Sequence, residues 1–194
     1  GFQKGSIDTT LFIKKKGKHI MLIQMYADDI IFGSTNPKYC TKFSDLVVKR
    51  FEMSMMGEMK FFLGLQVNQF SNGIFINQSK YIHDILKRFR MGNCDTVPTP
   101  MVDQSKLKLD LVGKLVDHTD YGSMIGSLMY VTSSRPDIMF ATCMCVRYQA
   151  NPNEHHVSAV KRNFRYLKGT INLGLWYLKD SGFDLTAYSD ADHA

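Results

Sequence analysis

Two adjacent carboxylates, Asp28 and Asp29, lie between two runs of β-forming apolar residues, Met21-Leu-Ile-Gln-Met-Tyr26 and Ile30-Ile-Phe32. Flanks of this composition read as half-buried strands, so the chain must reverse at the pair and both side chains project from a hairpin turn. Like charges 4 Å apart repel by about 1 kcal/mol in water and by more where water is excluded. An apolar hairpin is therefore expected to give the pair a counter-ion. Carboxylate oxygens suit Mg²⁺, which is usually held by one or two carboxylates together with substrate phosphates. Two such ions, about 3.5–4 Å apart, clamp the attacking and leaving oxygens of an in-line displacement at phosphorus. The pair alone is a weak signal. Fifteen of the eighteen acidic residues are Asp, so adjacent Asp residues also arise by chance, and a solvated turn is the plain alternative.

The bulk properties narrow the substrate. With 194 residues, 44% of them hydrophobic, the chain can bury a core as one domain or two small ones. Lys and Arg exceed Asp and Glu by 24 − 18 = 6 charges, and the sequence pI is about 9.1. That balance favours a polyanionic partner, and nucleic acid fits best. No apolar run reaches the roughly 18 residues needed to span a bilayer, and the N-terminus lacks the charged-then-apolar order of a signal peptide. The expected protein is soluble and intracellular, with no membrane partner. Cys40, Cys94, Cys143 and Cys145 are scattered and read as core thiols rather than metal ligands.

The elements that must position the carboxylates follow from periodicity. Ile7–Ile13 and His19–Met25 read as a hairpin around the basic turn Lys14–Lys18, with Ile30–Ser34 as a third strand. Asn36-Pro37 opens a helix to about Phe51, with Phe43, Leu46, Val47 and Phe51 on one face. Phe61–Phe70 and Ile74–Ile76 pair around Asn72-Gly73. A helix over 77–91 carries Tyr81, Ile82, Ile85, Leu86 and Phe89. Residues 92–118 read as a linker, followed by a helix from Thr119 with Tyr121, Ile125, Leu128 and Met129, then a second helix from Pro136 to about Ala150. The first of these also carries a small-residue stripe, Gly122-Ser123 and Gly126-Ser127. Asn153 caps a helix over 154–168 with Val157, Val160, Phe164 and Leu167 inward. Its remaining face holds Lys161, Arg162, Arg165 and Lys168, a cluster suited to phosphate contact or simply solvated. His155 and His156 read as surface residues, and Trp176 and Tyr177, in a strand-like stretch 173–178, as core.

Tyr26-Ala27-Asp28-Asp29 resembles the Tyr-x-Asp-Asp box of reverse transcriptases. Further segments in order resemble the copia-type (Pseudoviridae) retrotransposon polymerase, in wording closest to plant elements. They are Thr10-Leu-Phe-Ile13, Gly57-Glu-Met-Lys-Phe-Phe-Leu-Gly64, Gly73-Ile-Phe-Ile-Asn-Gln-Ser-Lys-Tyr81, Tyr121-Gly-Ser-Met-Ile-Gly-Ser-Leu-Met-Tyr130, Ser134-Arg-Pro-Asp-Ile138, Arg165-Tyr-Leu-Lys-Gly-Thr170 and Tyr188-Ser-Asp-Ala-Asp192. The resemblance implies an α+β fold that is part of a right-hand polymerase: palm hairpins with a helix, a helical thumb and the first strand of a truncated RNase H domain. It divides the chain into a late palm over 1–76, thumb-like helices over 77–150, a basic helix and tether over 151–182, and the start of RNase H over 183–194.

It also implies RNA-directed DNA synthesis on a primed RNA or DNA template from deoxynucleotides, with two Mg²⁺ ions. Asp28 would ligate metal and Asp29 would assist; Tyr26 and Ala27 would lie beneath the primer end, where the family more often has Val at position 27. Phe62-Leu63-Gly64 resembles the primer grip, with Gly64 allowing close backbone approach; an ordinary strand glycine is the alternative. Asp190 matches the first metal-binding Asp of RNase H. The family places a third catalytic carboxylate and the fingers upstream, in a polymerase half these 194 residues lack, and the rest of RNase H beyond; Asp8 matches a later family segment and is not that carboxylate. Beginning at Gly and stopping inside a motif, the chain reads as a piece of a polyprotein that would work in the cytoplasm, within a virus-like particle by resemblance. Two readings stand: a fragment of an active polymerase, inactive by itself, or a decayed remnant that at most binds nucleic acid.

Overall fold

A computed structural model describes residues 1–102 and 113–182. It is mixed α+β, with two antiparallel four-stranded sheets and five α-helices among the described residues, and it divides into two compact units, Gly1–Met59 and Lys60–Ala194.

The first unit is a sheet in the order β1 (Gln3–Lys4), β2 (Leu11–Lys16), β3 (His19–Tyr26), β4 (Asp29–Ser34), followed by α1 (Pro37–Arg50). β2 starts later than its sequence suggests: Ile7 stands 99% exposed in the turn before it. The strand runs on through the lysines, because Lys16 pairs with His19 and only Gly17-Lys18 are left to turn, with Gly17 at φ +58. Asn36 caps α1 as expected, its side chain accepting from the Lys38 amide, with Pro37 in the first helical turn. Packing is thin. Only Met21 and Ile23 are fully buried apolar residues here, and α1 buries none. Phe43 meets Phe32 edge-on at 5.0 Å between ring centroids, whereas Leu46 and Phe51 of the expected inner face stay exposed.

In the second unit the sheet order is β5 (Phe61–Phe62), β6 (Leu65–Phe70), β7 (Gly73–Asn77), β8 (Gly174–Leu178). Two expectations change. The run 61–70 is two strands, because the chain turns back at Leu63-Gly64. And 174–178, expected within a tether, pairs along all of β7, from Gly73 opposite Leu178 to Asn77 opposite Gly174. As an edge strand it leaves Trp176 45% and Tyr177 41% exposed, so neither is a core residue.

The helices α2 (Ser79–Arg88), α3 (His118–Val131), α4 (Met139–Val146) and α5 (Glu154–Gly169) enclose the main core. Ile82, Ile125, Leu128, Val160, Phe164 and Leu167 are fully buried, each stabilising the fold by roughly 1.5–3 kcal/mol relative to an exposed position. α4 is shorter than its sequence suggests, a 3₁₀ turn over Pro136–Ile138 preceding it and Arg147 capping it. On α3, Met129 faces out and the small-residue stripe is only partly used: Ser127 is buried, while a Cβ at Gly126 would meet open space.

Several polar residues inside this core are paired, although Thr142 Oγ1 and Asn163 Oδ1 are buried without a hydrogen-bond partner. Arg135, 1% exposed, donates to both carboxylate oxygens of Asp137 at 2.9 and 2.6 Å and to the Thr170 carbonyl and hydroxyl at 2.8 and 2.7 Å. Tyr166 adds a hydrogen bond to Asp137 at 2.8 Å. Burial works against the charge on Asp137, but the hydrogen bonds from Arg135 and Tyr166 prevail and hold its carboxyl below the usual range. His156 is a correction to the expected surface position: it is 1% exposed, stacks on Tyr148 at 4.0 Å, and its Nδ1 accepts from the Asn153 amide in a capping box.

Candidate active site

The register Tyr26 opposite Asp29 leaves Ala27-Asp28 as a two-residue turn closing β3 on β4. Ala27 occupies the left-handed region at φ +47, which costs a non-glycine residue roughly 1–2 kcal/mol. Strain of this kind persists where the surroundings over-determine it, and it clusters at functional turns. A β-branched residue would be still less suited to that conformation, so Ala is the easier occupant.

Tyr26, Ala27, Asp28 and Asp29 are all exposed. This removes one premise of the sequence argument. The carboxylates project from the end of the sheet into solvent, where water screens their repulsion, so no charge conflict demands a cation. The donor set is nonetheless chemically suited to a hard divalent ion: two carboxylates, unencumbered by apolar walls, that leave coordination positions for phosphate and water oxygens.

Asp8 reaches the same end of the sheet. Leu11 lies opposite Gln24, and the Met25 amide donates to the Thr10 carbonyl at 3.1 Å, so the turn containing Asp8 flanks the Tyr26 end of β3. Its carboxylate is engaged. It accepts from the Thr10 hydroxyl at 2.6 Å, the Thr10 amide at 2.8 Å and Gln24 Nε2 at 3.1 Å, and these bonds, the Thr10 hydroxyl first, hold it below the usual carboxylate range. Among the described residues no three His, Cys, Asp or Glu side chains gather as a metal site. This end of the sheet therefore offers the two carboxylates of Asp28 and Asp29 and one neighbour, Asp8, engaged in hydrogen bonds.

Phe62, Leu63 and Gly64 lie at the tip of a second hairpin. Leu63 and Gly64 both have positive φ, +49 and +79, as the favoured two-residue hairpin turns with two left-handed positions require. Phe62 is half-buried, and Leu63 and Gly64 are exposed. Gly64 does permit a close approach, and the group that approaches is Tyr130 of α3, whose hydroxyl donates to the Leu63 carbonyl. Nothing in the sequence pattern linked Tyr130 to this turn.

The four cations of α5 separate into two pairs. Arg162 donates to the Thr99 hydroxyl at 3.0 Å and Lys168 to the Cys94 carbonyl at 2.6 Å, while Gly169 leaves room for the Thr96 side chain. These contacts strap the described part of the expected linker, 92–102, onto the helix. Lys161 and Arg165 are exposed and remain available to a polyanion. Asp190, and with it the expected RNase H strand over 183–194, lies outside the described residues.

Residues 1–103 match the family described as reverse transcriptase (RNA-dependent DNA polymerase). The chain belongs to this family, in its copia-type transposon branch. It is 37% identical over its full length to a retrovirus-related Pol polyprotein from transposon RE1 of Arabidopsis thaliana and spans 13% of that protein. Over 96% of its length it is 31% identical to the Pol polyprotein from transposon TNT 1-94 of Nicotiana tabacum, spanning 15% of it. An uncharacterized mitochondrial protein of Arabidopsis thaliana is 32% identical over 90% of the chain and 72% of its own length. No solved structure matches the chain. No helix among the described residues is long and apolar enough to cross a membrane.

Proposed function

We propose that the chain is the C-terminal part of a copia-type reverse transcriptase polymerase and that Asp28, assisted by Asp29, holds the divalent metal of nucleotidyl transfer. The observation that carries this is the Tyr26–Asp29 turn: a strained, solvent-facing tip, within the stretch matched to the family, whose two carboxylates stand clear of other ligands. In the reaction a primer 3′-hydroxyl attacks the α-phosphate of a deoxynucleotide and pyrophosphate leaves. Mg²⁺, when bound, supplies charge neutralisation for the phosphates and orients the attacking oxygen. The chain itself fixes the positions of two carboxylates on a paired hairpin and keeps the turn open to a primed template.

In this reading residues 1–76 are late palm, the helices over 77–150 are thumb, 151–182 form a basic helix and tether, the turn at Phe62-Leu63-Gly64 holds the primer strand, Lys161 and Arg165 meet phosphate, and Asp190 begins RNase H. The template is RNA or DNA. The third carboxylate and the fingers come from the polymerase half upstream, so 1–194 by itself is inactive. The test is primer extension by the chain rejoined to that upstream half. Asp28→Asn should abolish Mg²⁺-dependent extension, because a neutral amide is a poor substitute for a charged hard ligand; near-normal rates would move the metal elsewhere. Processive incorporation by purified 1–194 would overturn the requirement for the upstream half.

A further inference from the structure

The Leu63-Gly64 turn places a leucine in a conformation that leucine avoids, so something beyond the turn must keep it there. Tyr130 is the group in position to do so. Its hydroxyl donates to the Leu63 carbonyl, and a Cβ at residue 64 would fall on that same hydroxyl, so glycine at 64 is required both by its φ and by the tyrosine. The Tyr130 ring meets Tyr81 of α2 edge-on, 4.7 Å between centroids and 81° between planes, which fixes the ring from the side.

The backbone of Tyr130 is fixed as well. Its carbonyl accepts from Nε2 of Gln78 at 3.2 Å, and Gln78, fully buried, accepts in turn from the hydroxyls of Ser133 and Ser134 at 3.2 and 2.7 Å. Ser134 adjoins Arg135 and its paired network. The exposed hairpin tip is therefore tied by one side-chain hydroxyl to the most completely bonded part of the second unit.

We propose that Tyr130 is a positioning residue for the β5–β6 tip. It holds the Leu63-Gly64 turn in a single backbone arrangement, so that the exposed side of the turn meets a primer strand already ordered. The functional half of this proposal rests on reading the hairpin as the element that holds the primer. The physical half, that one hydroxyl orders the tip, stands apart from it. Preordering matters because a tip that had to find its conformation on binding would lose affinity to the ordering cost.

Tyr130→Phe separates the two halves, since it deletes the hydroxyl and leaves the ring against Tyr81. In the 1–194 chain, amide exchange over 62–66 should accelerate roughly tenfold, the loss of about one hydrogen bond, with core amides of α3 and α5 unchanged. In the same chain, binding to a duplex with a recessed 3′ end, measured against a blunt duplex of the same sequence, should lose most of its preference for the recessed end while blunt-duplex affinity stays within about twofold, a split that general destabilisation would not produce. Unchanged exchange over 62–66 would overturn the proposal. Faster exchange with an undiminished preference would also overturn it, because the tip would then be ordered for something other than the primer. A wild-type chain with no preference for a recessed end would instead refute the primer-holding reading, and the exchange arm alone would decide whether Tyr130 orders the tip.

Discussion

The two hairpin tips proposed to hold metal and primer differ in how they are supported. The Ala27-Asp28 turn stands at the end of a sheet with two fully buried apolar residues and carries exposed carboxylates. The Leu63-Gly64 turn is tied through Tyr130 to a buried polar network and a core that includes Ile82, Ile125, Leu128 and Phe164. Both hold a non-glycine residue at positive φ, +47 at Ala27 and +49 at Leu63. The second is also held by a side chain from another element of its own unit, the Tyr130 hydroxyl. Under the proposed function, the contrast separates chemistry from stability: the exposed carboxylates should cost little to alter structurally, whereas the bonded network of the second unit should be sensitive to the loss of single groups.

The largest expected effect lies on the catalytic side. In the rejoined polymerase, Asp28→Asn should slow extension by on the order of 10³-fold or more, since metal charge stabilisation amounts to several kcal/mol and each 1.36 kcal/mol is tenfold in rate. Its unfolding free energy should change by no more than about 0.5 kcal/mol, as for an exposed site. A large loss of stability would erase the contrast.

Arg135→Ala should do the reverse. It leaves the Asp137 carboxylate with Tyr166 as its remaining partner and removes the donor to two acceptors on Thr170, at a cost of about 3 kcal/mol, the lower end for a broken ion pair because Asp137 keeps 35% of its side chain exposed. Trp176 is the single tryptophan and sits in β8, so urea unfolding followed by its fluorescence reports the second unit directly. A shift under about 1 kcal/mol would mean that the network is replaceable by water.

Acid titration sharpens the same point. The folded carboxyl of Asp137 titrates below the unfolded value of about 3.9, so its contribution is present above that pH and is lost as pH falls through the folded value. The Trp176 transition should weaken below about pH 4, and Asp137→Asn should flatten that dependence. Burial pushes the Cys145 thiol up to about 12, so it should resist alkylating reagents until this transition, while exposed Cys143 reacts in the folded chain.

The smallest effect concerns α5. Lys161→Ala and Arg165→Ala should each lower the slope of log affinity against log salt for duplex binding by roughly 0.9. Arg162→Ala should leave the slope unchanged and accelerate amide exchange around Thr99 instead. Equal slopes for all three would make the basic face uniform after all.

Much of the scaffold was legible because local rules and the final fold agree. Asn36 and Asn153 start helices where their side chains cap them, and the periodic residues of α2, α3 and α5, except Met129, are those that form the core or pack against it. What escaped was non-local. The turn at Leu63-Gly64 carries no Asn-Gly or Asp-Gly signal, and its restraint comes from a tyrosine 67 residues further on. Pairing of β8 with β7 joins segments about a hundred residues apart, so Trp176 and Tyr177 gave a core signal for what is an edge strand. His156 looked like surface because its role, accepting the Asn153 amide while stacking on Tyr148, depends on a ring from the segment after α4. At the site, motif spacing located the turn, but whether Asp28 and Asp29 were buried or solvated depended on the thinness of the sheet behind them.

The most direct test of the central claim, that the Asp28-Asp29 turn takes a divalent metal, is a Mn²⁺ titration of the 1–194 chain followed by paramagnetic broadening of its amide resonances. Two carboxylates without substrate phosphates form a weak site, so broadening is expected only at submillimolar to millimolar Mn²⁺. It should be strongest at Tyr26–Ile30, weaker at the neighbouring Asp8–Thr10 turn, persist in Asp8→Asn, and disappear in Asp28→Asn. Broadening centred elsewhere, or undiminished in that variant, would contradict the assignment of Asp28 as the metal-holding residue.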